Sequence, residues 1–566
     1  MRTGAVLTVL GVLVTTSAHA QLSLVPTDHP VYEWLHRQRV RGVVPRYDYE
    51  ALPLTRGLLR ALLDEASAGG LSRIDRSLAA TYRSEFSVDT VAPQTLLQGQ
   101  ARGVVEVVRE KISLVLSERE SHLYRYAGPE ANVTVDYFMG GGAFGGTEVS
   151  GTGPDKYELK HVRLFGTLYD RIGFHLDAQN ASGSNLLRFH PQWGTTPEVT
   201  AGGSATVWAQ GFVTTRYRAL QFDIGTGTQR LGAPGREAVI LRSYSSNYDW
   251  VRISLATPGV QYMFTHGSLV AATRDTVVPG TAGTLTRIAP SRWIAVRRVQ
   301  LRPSTRLQLG FTEALAYSNR GVELAYLNPI YPLRVAEFNT NDRDNPVWYL
   351  DGVFRPINGL EFSATLGIDD LSIISDVLRP TGGRNNNDLT TKLLYQAWGT
   401  VAIGSGTDLF AGYLRVEPFF YTHKLGLNTF QQWDLPLGAD VGPNADEWTV
   451  GFRQWLPRGG WMRFSGSGGR HGMNPLDASG NMVEDVGGSL SSVHLGQRIL
   501  FLRGDLHRTT TFRMDGGIEP IRGWRFDVAV ERRVVRAGTQ IANRTILRFG
   551  TSLMFYPIDV LLLPIN

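Results

Sequence analysis

The chain has 566 residues, of which 42% are hydrophobic and 19% charged, and its formal charge is +6. Cysteine is absent, which excludes a disulfide framework, thiolate metal sites, cysteine nucleophiles and a lipidated N-terminal cysteine. So mild a charge on a chain of this length gives no reason to expect nucleic acid as a partner.

Residues 1–20 read as a secretory signal. Arg2 supplies the positive end, Ala5 to Val14 the apolar stretch, and Ala18-His19-Ala20 a cleavage site before Gln21. The stretch is too short to cross a bilayer as a helix, and no later window approaches the roughly 20 apolar residues of one. The expectation is export with cleavage after Ala20, then a helical unit and linker over residues 21–112. In that unit Asp28 and Pro30 start a helix with Val31, Trp34 and Leu35 on one face and Gly42 as its stop. Thr55 caps a second helix carrying Leu58, Leu59, Leu62, Leu63 and Ala66, ended by Gly69-Gly70. Ser72 and Asp75 make a capping box ahead of a third, in which Ile74, Leu78 and Tyr82 recur every four residues. Three short amphipathic helices bury little alone, so the unit is expected to pack on something larger.

From about residue 113 to 566 the rhythm is two. Ile172, Phe174, Leu176 and Ala178 alternate with Gly173, His175, Asp177 and Gln179; Leu220, Phe222 and Ile224 alternate with Gln221, Asp223 and Gly225. The same pattern returns at Val251 to Leu255, at Trp524 to Val530 and at Leu547 to Phe555. Each such strand has one apolar and one polar face. A soluble sandwich alternates too, but a single closed barrel explains so long a run better, because closure leaves no edges. Tight links (Leu168 to Ile172, Arg355 to Leu360) contrast with long polar ones (Pro380 to Asp388, Gly426 to Glu447), the habit of outer-membrane barrels. Allowing about ten residues per strand plus connections, on the order of 16 to 18 strands fit. Residues 557–566 extend past the last strand, and nothing in the pattern accounts for them.

Several stretches resemble the Wzi-like capsule assembly family. They are Gly225-Thr226-Gly227 through Gly235, Arg297-Arg298-Val299 with Leu307 to Glu313 and Tyr326-Leu327-Asn328-Pro329, and Ile368-Asp369-Asp370. The most specific is Tyr413-Leu414-Arg415-Val416-Glu417-Pro418-Phe419-Phe420-Tyr421-Thr422-His423, followed by Pro436-Leu437-Gly438, Gly442 to Asp446, and Arg470-His471-Gly472-Met473-Asn474. The resemblance runs from about residue 130 to 556. It implies an all-β transmembrane barrel of about 18 antiparallel strands, with a small N-terminal α-helical domain on the periplasmic side. It further implies a monomeric, non-enzymatic protein of the bacterial outer membrane that retains capsular or other extracellular polysaccharide. Outer-membrane lipid is then the surrounding partner. A general or substrate-specific porin is the alternative.

No family motif marks a sugar site. Pyranose rings present C–H faces that stack on aromatic rings flanked by polar groups. Tyr244, Tyr248 and Trp250, Trp348 and Tyr349, and Trp433 lie in stretches of that kind; rings of an interfacial girdle are their alternative. Arg297, Arg298 and Glu313 are candidates for an ion pair in the lumen, and because adjacent residues face opposite ways only one of the two arginines can point there. His175 and Asp177 share a polar face, but no nucleophile with an orienting group accompanies them, so a polar lumen is the better reading. Gly225 and Gly227 follow a strand without a helix or a Gly-Lys-Ser/Thr, which excludes a phosphate loop. No zinc or calcium spacing occurs, and no metal or cofactor is expected.

Overall fold

The computed structural model describes residues 21–87, 122–147, 155–183, 205–243, 245–271, 276–279, 285–288, 290–340, 343–369, 392–433, 435–493 and 499–554. The signal, the Pro380–Asp388 link and the 557–566 tail lie outside these residues.

Three helices come first: α1 (Val31–Val40), α2 (Arg56–Ala68) and α3 (Arg73–Glu85). Thr55 Oγ1 accepts the Leu58 N–H, and Ser72 Oγ accepts the Asp75 N–H, so both caps hold where spacing placed them. Gly42 takes φ +77°, a left-handed stop that other residues adopt only under strain. The apolar faces meet in one cluster around Trp34, Leu35, Leu63 and Leu78, which also takes in Trp455 from a barrel strand. That shared core is what three short helices need.

Eighteen strands then close into an antiparallel barrel. In chain order they are β1 (Ala131–Gly146), β2 (Asp155–Leu168), β3 (Ile172–Gly183), β4 (Ala205–Tyr217), β5 (Leu220–Gly227), β6 (Tyr248–Ala256), β7 (Val260–Leu269), β8 (Arg292–Leu301) and β9 (Leu307–Ser318). The second half is β10 (Asn345–Phe354), β11 (Leu360–Asp369), β12 (Lys392–Ile403), β13 (Thr407–Val416), β14 (Ala445–Trp455), β15 (Trp461–Met473), β16 (Asp505–Ile521), β17 (Trp524–Ala537) and β18 (Gln540–Met554). Closure is made by β18 on β1, with Leu547 opposite Gly145 and Leu553 opposite Met139. The short segment Tyr124–Ala127 pairs with the start of β1 beyond the end of β18.

Period-two alternation becomes two faces of one wall. Leu176, Ile224, Leu350 and Phe549 point outward and are 41–50% exposed, the apolar belt a bilayer requires. His175, Asp177, Asp223 and Asp351, one residue off, point inward and are buried. At one end the strands join by tight turns; at Tyr169 and Asp170 both φ values are positive (49° and 53°), matching the right-handed strand twist. The helices close this end. Gly359 N–H donates to the Val40 carbonyl at 2.8 Å, and Ser72 Oγ donates to the Ser405 carbonyl at 3.2 Å. In outer-membrane barrels the short turns face the periplasm and the long connections the exterior, so by that convention the helix-closed end corresponds to the periplasmic one and the long connections to the outer one.

Candidate functional site

The lumen is filled from both ends. From below, α1 presents Arg39, which is fully buried and donates to both carboxylate oxygens of Glu50 at 2.8 Å and to Glu361 of β11 at 3.1 Å. His36 lies 2.7 Å from the same Glu361. Arg37 reaches Asp408 on β13 and Asp75 on α3, while Arg453 on β14 reaches Glu33 at 2.7 Å. Burial pushes the Glu33 carboxyl up, but the Arg453 guanidinium beside it outweighs burial and holds it well below the usual carboxylate range.

From above, residues 228–243 drop into the barrel and pair with the helical unit. Ala51 lies opposite Leu231 and Leu52 opposite Arg230 in a two-stranded ladder, and Gly232 N–H donates to the Glu50 carbonyl at 3.0 Å. Arg230 stacks over the Tyr49 ring at 3.8 Å. Gly232 has φ +116°, and a Cβ there would meet Ile240 at 3.2 Å, so the glycine-rich block serves a sharp turn in a packed interior.

Residues 417–444 fold inward beside it as a lid. Phe420, Tyr421, Phe430, Val239 and Leu437 form one cluster with inward residues of β4, β6 to β10, β12 and β13. Tyr421 donates to the Val239 carbonyl at 2.7 Å and accepts the Ala439 N–H at 3.0 Å. Buried Arg292 donates to the carbonyls of Leu427 (2.7 Å), Thr429 (2.6 Å) and Gln431 (3.1 Å). Phe419, Tyr421, Trp433 and Asn444 all have positive φ, a concentration of strain that packing must hold in place. Arg292 carried no signal in the sequence, since its partners are carbonyls that no spacing reveals.

Lid and wall do not meet all round. On β15 to β18 the inward positions are short or charged, among them Ser465, Ser467, Thr511, Arg513, Asp515, Glu531, Arg533 and Arg548. Arg513 keeps 42% of its side chain exposed, against near-complete burial on β7 to β13. By register Arg533 lies directly opposite Arg544, two cations side by side. The 228–243 segment beside the lid carries Arg236, which bonds Asp440 of the lid and lies 3.0 Å from Glu447 of β14. Burial, with Asp440 alongside, pushes the Glu237 carboxyl up to about 8, whereas the Arg236 guanidinium, outweighing burial, holds Asp440 well down. The result is a water-accessible crescent between lid and wall, lined by guanidinium and carboxylate groups together.

The aromatic candidates fall in different places. Tyr248, Trp250 and Tyr349 are 3%, 2% and 0% exposed in the interior cluster, on strands rather than in loops, so they are corrected from surface rings to packing residues. Trp348 faces outward with its ring 6.1 Å from Phe311, edge to face. Half-buried Trp433 donates its backbone N–H to the Val270 carbonyl just past the end of β7. Tyr244 lies outside the described residues. Of the ion-pair candidates, Arg298 points inward and is bidentate to Asp351 (2.5 and 2.8 Å). Arg297 and Glu313, 3.7 Å apart, lie on the outward face and are corrected from the lumen. Residues 319–340 fold over them. His175 is buried between Phe165 and Phe212, and Asp177 sits 2.6 Å from His161 instead.

No family model matches the chain, and no curated protein matches it by sequence. Among solved structures it resembles Wzi, an outer-membrane protein involved in group 1 capsule assembly in Escherichia coli and a carbohydrate-binding β-barrel. The TM-score is 0.55 at 11% identity, over 94% of this chain and 100% of that one. Pseudomonas aeruginosa OprD and OpdK align over 75% of this chain and 95% and 98% of theirs, with 12% and 11% identity and TM-scores of 0.40 and 0.42. The likeness to Wzi is one of fold: both are closed antiparallel β-barrels.

Proposed function

We propose that this barrel is a non-enzymatic binder that retains extracellular polysaccharide at the cell surface. The observation that carries the reading is the ladder between residues 51–52 and 230–231, where the periplasmic unit and the outer loops meet inside the lumen. A barrel sealed along that line works from its outer end. There the crescent supplies guanidinium groups that suit sugar hydroxyls and carboxylates. The carbohydrate binding recorded for Wzi, on a shared fold, supports the same reading.

A porin is the second reading, and the half-exposed wall of β15 to β18 favours it, since water reaches inward side chains there. Single-channel conductance in a planar bilayer separates the two. The expected result is no current from the intact protein and open-pore current after removal of residues 21–90. Binding of the host's own polysaccharide to the intact protein, weakened by R533Q, completes the test. Steady current from the intact protein overturns the proposal in favour of a channel.

A further inference from the structure

The connection between β9 and β10 turns back down the outside of the wall. It carries two short helices, α4 (Leu324–Leu327) and α5 (Leu333–Asn339). Its underside is apolar and packed: Tyr326, Leu333 and Ala336 are at most 1% exposed, against Ala295, Leu315 and Tyr317 of the outward barrel face. It also satisfies polar groups that a lipid-facing wall ordinarily lacks. Arg297 donates to the Ile330 carbonyl at 3.0 Å and to the Tyr331 carbonyl, and Glu313 accepts the Leu333 N–H at 3.3 Å. His266 lies 2.8 Å from the Tyr317 hydroxyl, which accepts the Glu323 N–H.

The flap reaches far down. Its turn at Ile330 and Tyr331 is held by Arg297, five residues along β8 from the rim at Arg292. That is about 17 Å along the strand at ~3.4 Å per residue, or roughly 13 Å of depth at a tilt near 40°, about the thickness of one leaflet. The top face carries Leu324 (78% exposed), Ile330 (84%), Phe338 (59%) and Val335 (44%). Such a patch is out of place in water. It is continuous with the belt that shows Phe311 and Leu350 beside it.

We propose that residues 319–340 form a re-entrant flap immersed in the outer leaflet, its top face covered by acyl chains and its underside sealing Arg297, Glu313 and His266 from lipid. Backbone groups at membrane depth must be paired within the protein, and the bonds of Arg297 and Glu313 do that for the turn between the helices.

The absence of cysteine makes the test direct. The full-length variant I330C carries a bimane label in phosphatidylcholine vesicles with or without doxyl-labelled phosphatidylcholine, and iodide is the aqueous quencher. L476C, in the outer connection between β15 and β16, is the reference, and F338C a second flap position. Retention of the heat-sensitive gel shift of a folded barrel checks each variant. The expected result is at least twofold stronger doxyl quenching, and twofold weaker iodide quenching, at 330 and 338 than at 476. Iodide quenching at 330 equal to that at 476 overturns the proposal. Protection from both quenchers also overturns it, because protein would then cover the face.

Discussion

Replacing Arg39 by methionine tests whether the helical unit is latched into the lumen by charge. The guanidinium is fully buried, and its loss leaves Glu50 and Glu361, 1% and 2% exposed, without their main cation. Breaking a buried pair from one side costs about 3–5 kcal/mol. His36 at 2.7 Å and Arg355 at 3.5 Å stay with Glu361, which places the cost near the lower bound. About 3 kcal/mol shifts the docking equilibrium roughly a hundredfold towards release. The assay is protease cleavage between residues 31 and 85 in the folded, membrane-inserted protein, with single-channel recording alongside. Cleavage should accelerate by about that factor, and brief current openings should appear. Adding E50Q and E361Q to R39M should recover part of the loss, because no buried acid is then unpaired. Cleavage of R39M at the wild-type rate would refute the latch.

On the outer wall, E313A should destabilise the flap by about 1–3 kcal/mol, since it leaves the Leu333 N–H without its acceptor, and R297M/E313L should destabilise it further, since the Ile330 and Tyr331 carbonyls then lose their donor as well; flap hydrogen exchange measures both. Beside the lid, burial, with Asp440 alongside, pushes the Glu237 carboxyl up from its ordinary 4.5 to about 8 in the folded state. A raised acid favours the folded state fully below its ordinary 4.5 and loses that contribution as pH rises from there to about 8, so opening around residues 436–442 should become easier between about pH 4.5 and 8 and level off above, and E237Q should abolish the change. In the crescent, R533Q removes one of two cations opposed across β17 and β18. Thermal stability should rise by up to about 1 kcal/mol, and a fall in melting temperature would count against the register.

Alternation of apolar and polar residues settled the barrel from the sequence alone. A side chain on a strand has only two directions, and Ile172 to Gln179 or Leu220 to Gly225 already state which one meets lipid. The helical unit was equally legible, because Thr55, Ser72 and Gly42 act through local backbone geometry. The placement of the site residues was not. The sequence alternates identically whether a wall is bare or covered, so Arg297 and Glu313 carried no sign of the flap above them. Tyr248, Trp250 and Tyr349 are likewise rings near loops until the lid is seen to pack on them. The local sequence determined which elements form and which way their side chains point. Only the tertiary structure decided which faces are covered, because the lid, the Ala51–Leu231 ladder and the flap join residues tens to hundreds of positions apart through backbone carbonyls and packing, which leave no period in the chain.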